Sequence, residues 1–134
     1  RVDEVTDALG RPYSVVGRVV TGHSRGKGLG FPTANLRLER DFCVPMEGVY
    51  AGKAVLEGKK YLCATNVGSN PTFGDAETVV EVYILDFKGD IYGESIWVEF
   101  HNRLRGEIAF ENENELVSQM RNDVSRARAL LGKP

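Results

Sequence analysis

Apolar positions in this chain follow two different rhythms. From Tyr13 to about Phe100 they gather in short runs: Tyr13–Val20, Gly48–Leu56, Lys60–Val67, Val79–Phe87 and Ser95–Phe100. These runs are rich in Val, Ile, Tyr and Phe, the side chains that fit a pleated, half-buried surface. Glu57-Gly58 and Lys88-Gly89 each separate two runs, which is the chemistry of a two-residue hairpin turn. No crossover helix fits between the runs, so adjacent hairpins in a small antiparallel barrel are expected rather than a parallel sheet. Ahead of them, Val2, Val5 and Leu9 share one face of a short helical lead-in that Gly10 and Pro12 end.

Beyond residue 111 the period changes. Leu116, Val117, Met120, Val124, Ala127 and Leu131 recur at helical spacing and form a stripe that must face a core. Asn112 suits an N-cap, with Glu115 at the capping-box position. Glu113 and Glu115 stand in the first turn and Arg126 and Arg128 near the end, matching the helix dipole, and Gly132 and Pro134 stop the helix. With no repeat or linker visible, the expectation is one domain over 1–134. It comprises a lead-in at 1–12, a barrel at 13–103 and a helix at 112–131 that closes or covers the barrel.

Composition narrows the class. The chain has 134 residues, 42% hydrophobic and 27% charged, with 17 Lys+Arg against 19 Asp+Glu. That is apolar enough for a folded domain and contains no run of the ~20 apolar residues a membrane helix needs. The mildly acidic balance speaks against bulk nucleic-acid binding. Cys43 and Cys63 sit far apart in apolar surroundings without metal-ligand spacing, so reduced structural thiols and a cytoplasmic setting are expected. The chain begins at Arg1, which suggests that a segment precedes it.

Two stretches carry candidate chemistry. In Thr21-Gly-His-Ser-Arg-Gly-Lys-Gly-Leu-Gly30, the glycines Gly22, Gly26, Gly28 and Gly30 let backbone N–H groups approach a ligand, and Arg25 and Lys27 add positive charge. His23 is a loop residue within the same stretch. The pattern is neither a Walker A loop nor a dinucleotide fingerprint, and glycine content leaves polyphosphate binding and a plain flexible loop equally open. Pro32-Thr33-Ala-Asn35 follows, with two neutral oxygen donors at i and i+2 that suit Mg²⁺ shared with phosphate; a turn is the alternative.

In the run Val79–Phe87, Glu81 is a lone carboxylate among Val79, Val80, Val82, Tyr83 and Ile84. Partial desolvation suits it to a general base, while pairing with an arginine is the structural alternative. Charge is also segregated. Arg18 to Arg40 holds five bases and one acid, and Asp75 to Glu99 holds seven acids and one base. That separation suits a phosphate loop facing a carboxylate-bearing strand, or merely solvated hairpin faces. His101 has no ligand or triad partner in the sequence.

Taken in order, Gly26-Lys-Gly-Leu-Gly-Phe-Pro-Thr-Ala-Asn-Leu36, Gly48-Val-Tyr-Ala51, Asn66-Val-Gly-Ser-Asn-Pro-Thr-Phe73, Val80-Glu-Val-Tyr-Ile-Leu-Asp-Phe87, Asp90-Ile-Tyr-Gly93 and Leu104-Arg-Gly-Glu107 resemble the successive blocks of riboflavin kinases. The resemblance extends over nearly the whole chain and is closest to the bacterial type, in which the kinase follows an FMN adenylyltransferase domain. It implies an all-β-dominated fold, a closed antiparallel barrel of about six strands with a C-terminal α-helix. It also implies transfer of the ATP γ-phosphate to the ribityl 5′-hydroxyl of riboflavin, giving FMN with Mg²⁺ as cofactor.

By the same resemblance, Glu81 is the catalytic base and Thr33 and Asn35 hold the metal. Gly22, His23, Arg25, Gly26, Lys27, Gly28, Gly30, Pro32 and Thr33 contact ATP, and Arg105 and Glu107 lie toward the flavin. Expected partners are the two small substrates and an N-terminal adenylyltransferase domain, with neither nucleic acid nor membrane. Tyr83 replaces a histidine frequent in the family, and Lys27 replaces a frequent arginine, which keeps charge but loses a bidentate contact. The rival readings are a flavin-binding barrel without catalysis and an OB-like barrel that binds single-stranded nucleic acid.

Overall fold

The computed structural model describes residues 13–20, 34–38, 46–72, 75–87, 91–106 and 112–132. Six strands are found among them: β1 (Tyr13–Val20), β2 (Ala34–Leu38), β3 (Gly48–Leu56), β4 (Lys59–Thr72), β5 (Asp75–Ile84) and β6 (Ser95–Arg105), followed by helix α1 (Glu113–Leu131). The strands form a closed barrel in the order β1-β2-β5-β4-β3-β6, with every neighbouring pair antiparallel. Closure removes the unpaired edges that invite aggregation.

Alternation along the strands builds the core. Val15 and Val19 of β1, Tyr50, Ala54 and Leu56 of β3, Val80, Val82 and Ile84 of β5, and Ile96, Val98 and Phe100 of β6 pack into one buried cluster. Phe100, fully buried, is met edge-on by Tyr50 at 5.3 Å between ring centroids and by the tilted ring of Tyr13 at 6.3 Å. Such contacts add ~0.5–1.5 kcal/mol per pair beyond the burial itself. Cys63 belongs to this core, its Sγ 3.6 Å from Thr65 Oγ1, and burial pushes its thiol pKa up to about 12. This is the inert structural role expected of it; Cys43 lies outside the described residues.

The hairpin expected at Glu57-Gly58 joins β3 to β4, with both residues at positive φ (51° and 80°), as a type I′ turn requires. The β3–β6 pairing shifts register twice, between Val49 and Tyr50 and between Ala51 and Gly52. At the second shift the strands come so close that a Cβ on Gly52 would lie 1.8 Å from the Glu99 carbonyl oxygen. The shifts also turn β6. A regular strand would aim Leu104 to the same side as Phe100, yet Leu104 packs with Val49, Ala51, Ala127 and Leu131 in a second, smaller cluster.

That second cluster lies beneath α1. The strands close the barrel themselves, and the helix covers its outer wall over β3, β4 and β6. Asn112 caps the helix as expected, its side-chain oxygen accepting the Glu115 N–H at 2.9 Å. Polar contacts pin the rest. Arg105 donates to Asp123 through Nε (3.0 Å) and Nη2 (2.8 Å), and Arg126 donates to the Leu104 carbonyl at 2.6 Å. Near the far end, Arg128 forks onto the Asp86 carboxylate at 2.8 and 2.9 Å, which holds that exposed carboxyl below its ordinary pKa.

Several elements differ from the sequence reading: β4 continues to Thr72 and β6 to Arg105, past the apolar runs that end at Val67 and Phe100, and β5 begins at Asp75. The five residues of β2 escaped that reading, because Asn35 and Arg37 interrupt the apolar pattern and leave Leu36 as the one fully buried side chain. The run through Phe87 was read as strand throughout, whereas β5 ends at Ile84 and the chain turns at Asp86, whose φ is 57°.

Candidate functional site

The barrel register brings three polar side chains into one row. Glu81 on β5 is the cross-strand partner of Asn35 on β2 and, on its other side, of Asn66 on β4. Directly opposed residues of an antiparallel sheet point to the same face, with Cβ atoms ~4.5–5.5 Å apart. The residues flanking the row, Leu36, Val67, Val80 and Val82, face the core. Asn35, Glu81 and Asn66 therefore stand on the outer wall of the barrel, each half-buried. The row continues through Val49 on β3 to Arg105 on β6.

The chemistry of the row is distinctive. The side-chain oxygens of Asn35 and Asn66 are both buried, and among the described residues neither receives a hydrogen bond. A buried acceptor left unsatisfied costs ~1–3 kcal/mol, so the two amide oxygens flanking this carboxylate are groups that would gain from a donor. An amide oxygen accepts from N–H or O–H groups or coordinates a hard cation. Among the described residues no group of three or more His, Cys, Asp or Glu could hold a metal ion. The donors here are neutral oxygens beside one carboxylate, a set that fits Mg²⁺ shared with phosphate oxygens better than a metal caged by protein alone.

At the other end of the row, Arg105 is engaged by the structure. Its guanidinium is held by both oxygens of Asp123 and also donates to the Gly106 carbonyl at 3.1 Å. Gln119 adds a bond to the same carboxylate at 3.0 Å. Asp123 is 3% exposed, and the sequence reading missed it because an acid on a helix is usually solvated. Its position gave a signal: Leu116, Asp123 and Ala127 are spaced by seven and four and share one helical face.

Asn66 carries no role in the sequence reading; the signal for it is that it is a lone amide in the run Lys60–Val67. Gly22, His23, Arg25, Gly26, Lys27, Gly28, Gly30, Pro32, Thr33 and Glu107 lie outside the described residues, as does the Lys88-Gly89 turn. His101 is bonded to Glu99 at 3.0 Å, where Lys60 also reaches the carboxylate at 3.1 Å. Burial would raise the Glu99 pKa, but these two partners outweigh it and the carboxyl sits below its ordinary value. That cluster is separate from the row.

Comparison with known proteins gives a consistent result. The family model for riboflavin kinase matches residues 9–131. The bifunctional riboflavin kinase/FMN adenylyltransferase of Listeria monocytogenes is 38% identical over 133 residues, covering 98% of this chain and 42% of that protein. Its Haemophilus influenzae counterpart is 41% identical over 122 residues, covering 90% of this chain and 39% of that protein. The chain thus spans about two-fifths of the curated relatives it matches. Among solved structures, a Streptococcus pneumoniae protein named as a macrolide-efflux protein superposes with a TM-score of 0.91 at 38% identity, over 95% of this chain and 42% of its own. Riboflavin kinase from Trypanosoma brucei superposes with a TM-score of 0.65 at 28% identity, over 92% of this chain and 82% of its own.

Proposed function

This chain belongs to the riboflavin kinase family, and from that premise we propose that it transfers the γ-phosphoryl group of ATP to the ribityl 5′-hydroxyl of riboflavin, giving FMN and ADP. The observation that carries the proposal to particular residues is the cross-strand pairing of Asn35 with Glu81 on the outer wall, next to buried oxygens that await a donor.

In this reading Glu81 accepts the proton of the 5′-hydroxyl as that oxygen attacks the γ-phosphorus in line and the bond to the ADP oxygen breaks. The orphaned Asn35 oxygen fits Mg²⁺, which Asn35 and Thr33 would hold. The ion would neutralise charge on the transferring phosphoryl. The segment Gly22–Gly30, with His23, Arg25 and Lys27, and Pro32 would hold the ATP phosphates through backbone N–H groups and positive charge. Arg105 and Glu107 would lie toward the flavin, with Arg105 ordered by Asp123. Positioning and electrostatics supply most of the acceleration, and the base contributes ~10²–10⁴-fold.

Since the relatives are bifunctional and much longer, an adenylyltransferase domain is the proposed partner of this module in the full protein. A cytoplasmic location is proposed as well; no helix among the described residues is long and apolar enough to cross a membrane.

The test is direct. Incubated with riboflavin, ATP and Mg²⁺, the protein should form FMN and ADP in equal amounts, separated and quantified by chromatography. Glu81→Gln should lower kcat by ~10²–10⁴-fold while nucleotide binding persists. Flavin binding without FMN formation would instead establish a non-catalytic barrel, and near-normal turnover in Glu81→Gln would remove the base assignment.

A further inference from the structure

The row holds one more orphaned group than the proposed metal needs. Asn35 and Asn66 flank Glu81 from opposite sides, on β2 and β4, and each presents a buried oxygen with no hydrogen-bond donor among the described residues. Asn35 is the second residue of β2, and in the sequence the glycine-rich stretch Gly22–Gly30 lies just ahead of this strand, separated from it by Phe31-Pro32-Thr33. The phosphate donor therefore belongs on the β2 flank. In an in-line displacement the attacking and leaving oxygens lie on opposite sides of phosphorus. If the base is Glu81, the acceptor must approach from the other flank, and the polar side chain there is Asn66.

The acceptor of a sugar-alcohol kinase carries several hydroxyls along one chain. Neighbouring strands are ~4.8 Å apart, a span comparable with that between nearby hydroxyls of a polyol. A terminal hydroxyl held at Glu81 would thus leave an internal hydroxyl over Asn66, where a buried acceptor has no other donor.

Resting on the kinase reading, we infer that Asn66 is a positioning residue for the acceptor: its Oδ1 accepts a hydrogen bond from an internal hydroxyl of the ribityl chain and so fixes the 5′-hydroxyl beside Glu81. Asn35 then serves the donor side and Asn66 the acceptor side, with the carboxylate between them. Asn66 recognises the chain and not the flavin ring.

Asn66→Ala tests this. The riboflavin KM, and the riboflavin Kd measured by flavin fluorescence in the presence of ADP and Mg²⁺, should rise about 5–10-fold, the range for loss of one hydrogen bond. The KM for Mg-ATP should stay unchanged. Lumiflavin, which has the ring without the polyol chain, should bind the variant as it binds the unsubstituted protein. The melting temperature without ligand should not fall, because the substitution deletes an unsatisfied buried oxygen. Equal weakening of riboflavin and lumiflavin, or a raised KM for Mg-ATP with riboflavin unaffected, would overturn the assignment. Failure of the unsubstituted protein to make FMN would overturn the kinase reading instead, and the riboflavin-to-lumiflavin comparison would still decide whether Asn66 reads the chain.

Discussion

Substituting Asp123 by Ala should loosen α1 from the barrel about as severely as truncating a buried apolar residue of the helix. The Asp123 side chain is 5% exposed and that of Arg105 15%, and the guanidinium makes three N–H···O contacts to the carboxylate between 2.8 and 3.2 Å. Removing the acid leaves a guanidinium with little access to water, and also strands the Gln119 amide that bonded the same oxygen at 3.0 Å. Breaking a buried pair in this way costs ~3–5 kcal/mol. For 134 residues the unfolding entropy is about 0.28 kcal/mol/K, so the midpoint should drop by about 11–18 °C. Thermal unfolding followed by far-UV and near-UV circular dichroism measures this, and coincidence of the two signals shows whether the helix leaves alone or with the barrel.

The paired change Arg105→Met with Asp123→Leu removes both charges and should recover most of the loss, because the desolvation cost disappears along with the attraction. A drop of less than about 3 °C for Asp123→Ala would correspond to under ~1 kcal/mol. That result would refute the view that this ion pair locks the helix to the wall.

Gly52→Ala should be among the most damaging substitutions in the chain, since the new Cβ would lie 1.8 Å from backbone oxygen of Glu99. The β3–β6 pairing must then open, and loss of slow-exchanging amides on Val98 and Phe100 would show it; a native exchange pattern would contradict the close approach. Cys63 gives a pH test, best made in a Cys43→Ser background. Its pKa is raised from 9.0 to about 12, so above pH 9 the unfolded chain releases a proton that the folded chain keeps. Its contribution to stability is therefore constant below pH 9 and is lost progressively from pH 9 toward 12. In the folded protein, alkylation by iodoacetamide at pH 8 should be far slower than in the denatured chain, because the thiol is buried and its pKa is raised; a rate matching that of the denatured chain would show an accessible thiol.

How much of this was legible beforehand depended on how strongly each segment depends on its neighbours. The β3 run Gly48–Leu56, the Glu57-Gly58 turn and the capped helix were readable because their patterning, turn chemistry and capping all agree locally. The strand β2 was not, since five residues containing Asn35 and Arg37 become a strand through pairing with β1 and β5 on either side. Glu81 could be singled out because a charge in a β-branched run is conspicuous. Asp123 could not, because acids on helices are ordinary and its partner lies 18 residues away on another element. Asn66 fell between: visible as an amide in a strand, but meaningful only once the register set it beside Glu81.

The location of the row on the outer wall follows from the size of the barrel. A six-stranded barrel has an interior just large enough for its own side chains, here Val15, Val80, Val82, Ile96, Val98 and Phe100, so no substrate can enter it. Any chemistry must occur outside, where strands supply precise spacing but little enclosure. The interior makes that spacing reliable, since a slip of one residue between β2 and β5 would carry Leu36 and Val80 out of the core and Asn35 and Glu81 into it. The energy that fixes the register of the apolar face is therefore the same energy that keeps Asn35 and Asn66 opposite Glu81 across the strands. It also explains how two unsatisfied buried oxygens persist: their cost of ~1–3 kcal/mol each is small beside the many buried side chains that would have to move to relieve it. Changes that loosen the core, such as Val80→Ala, should then impair the site without touching it.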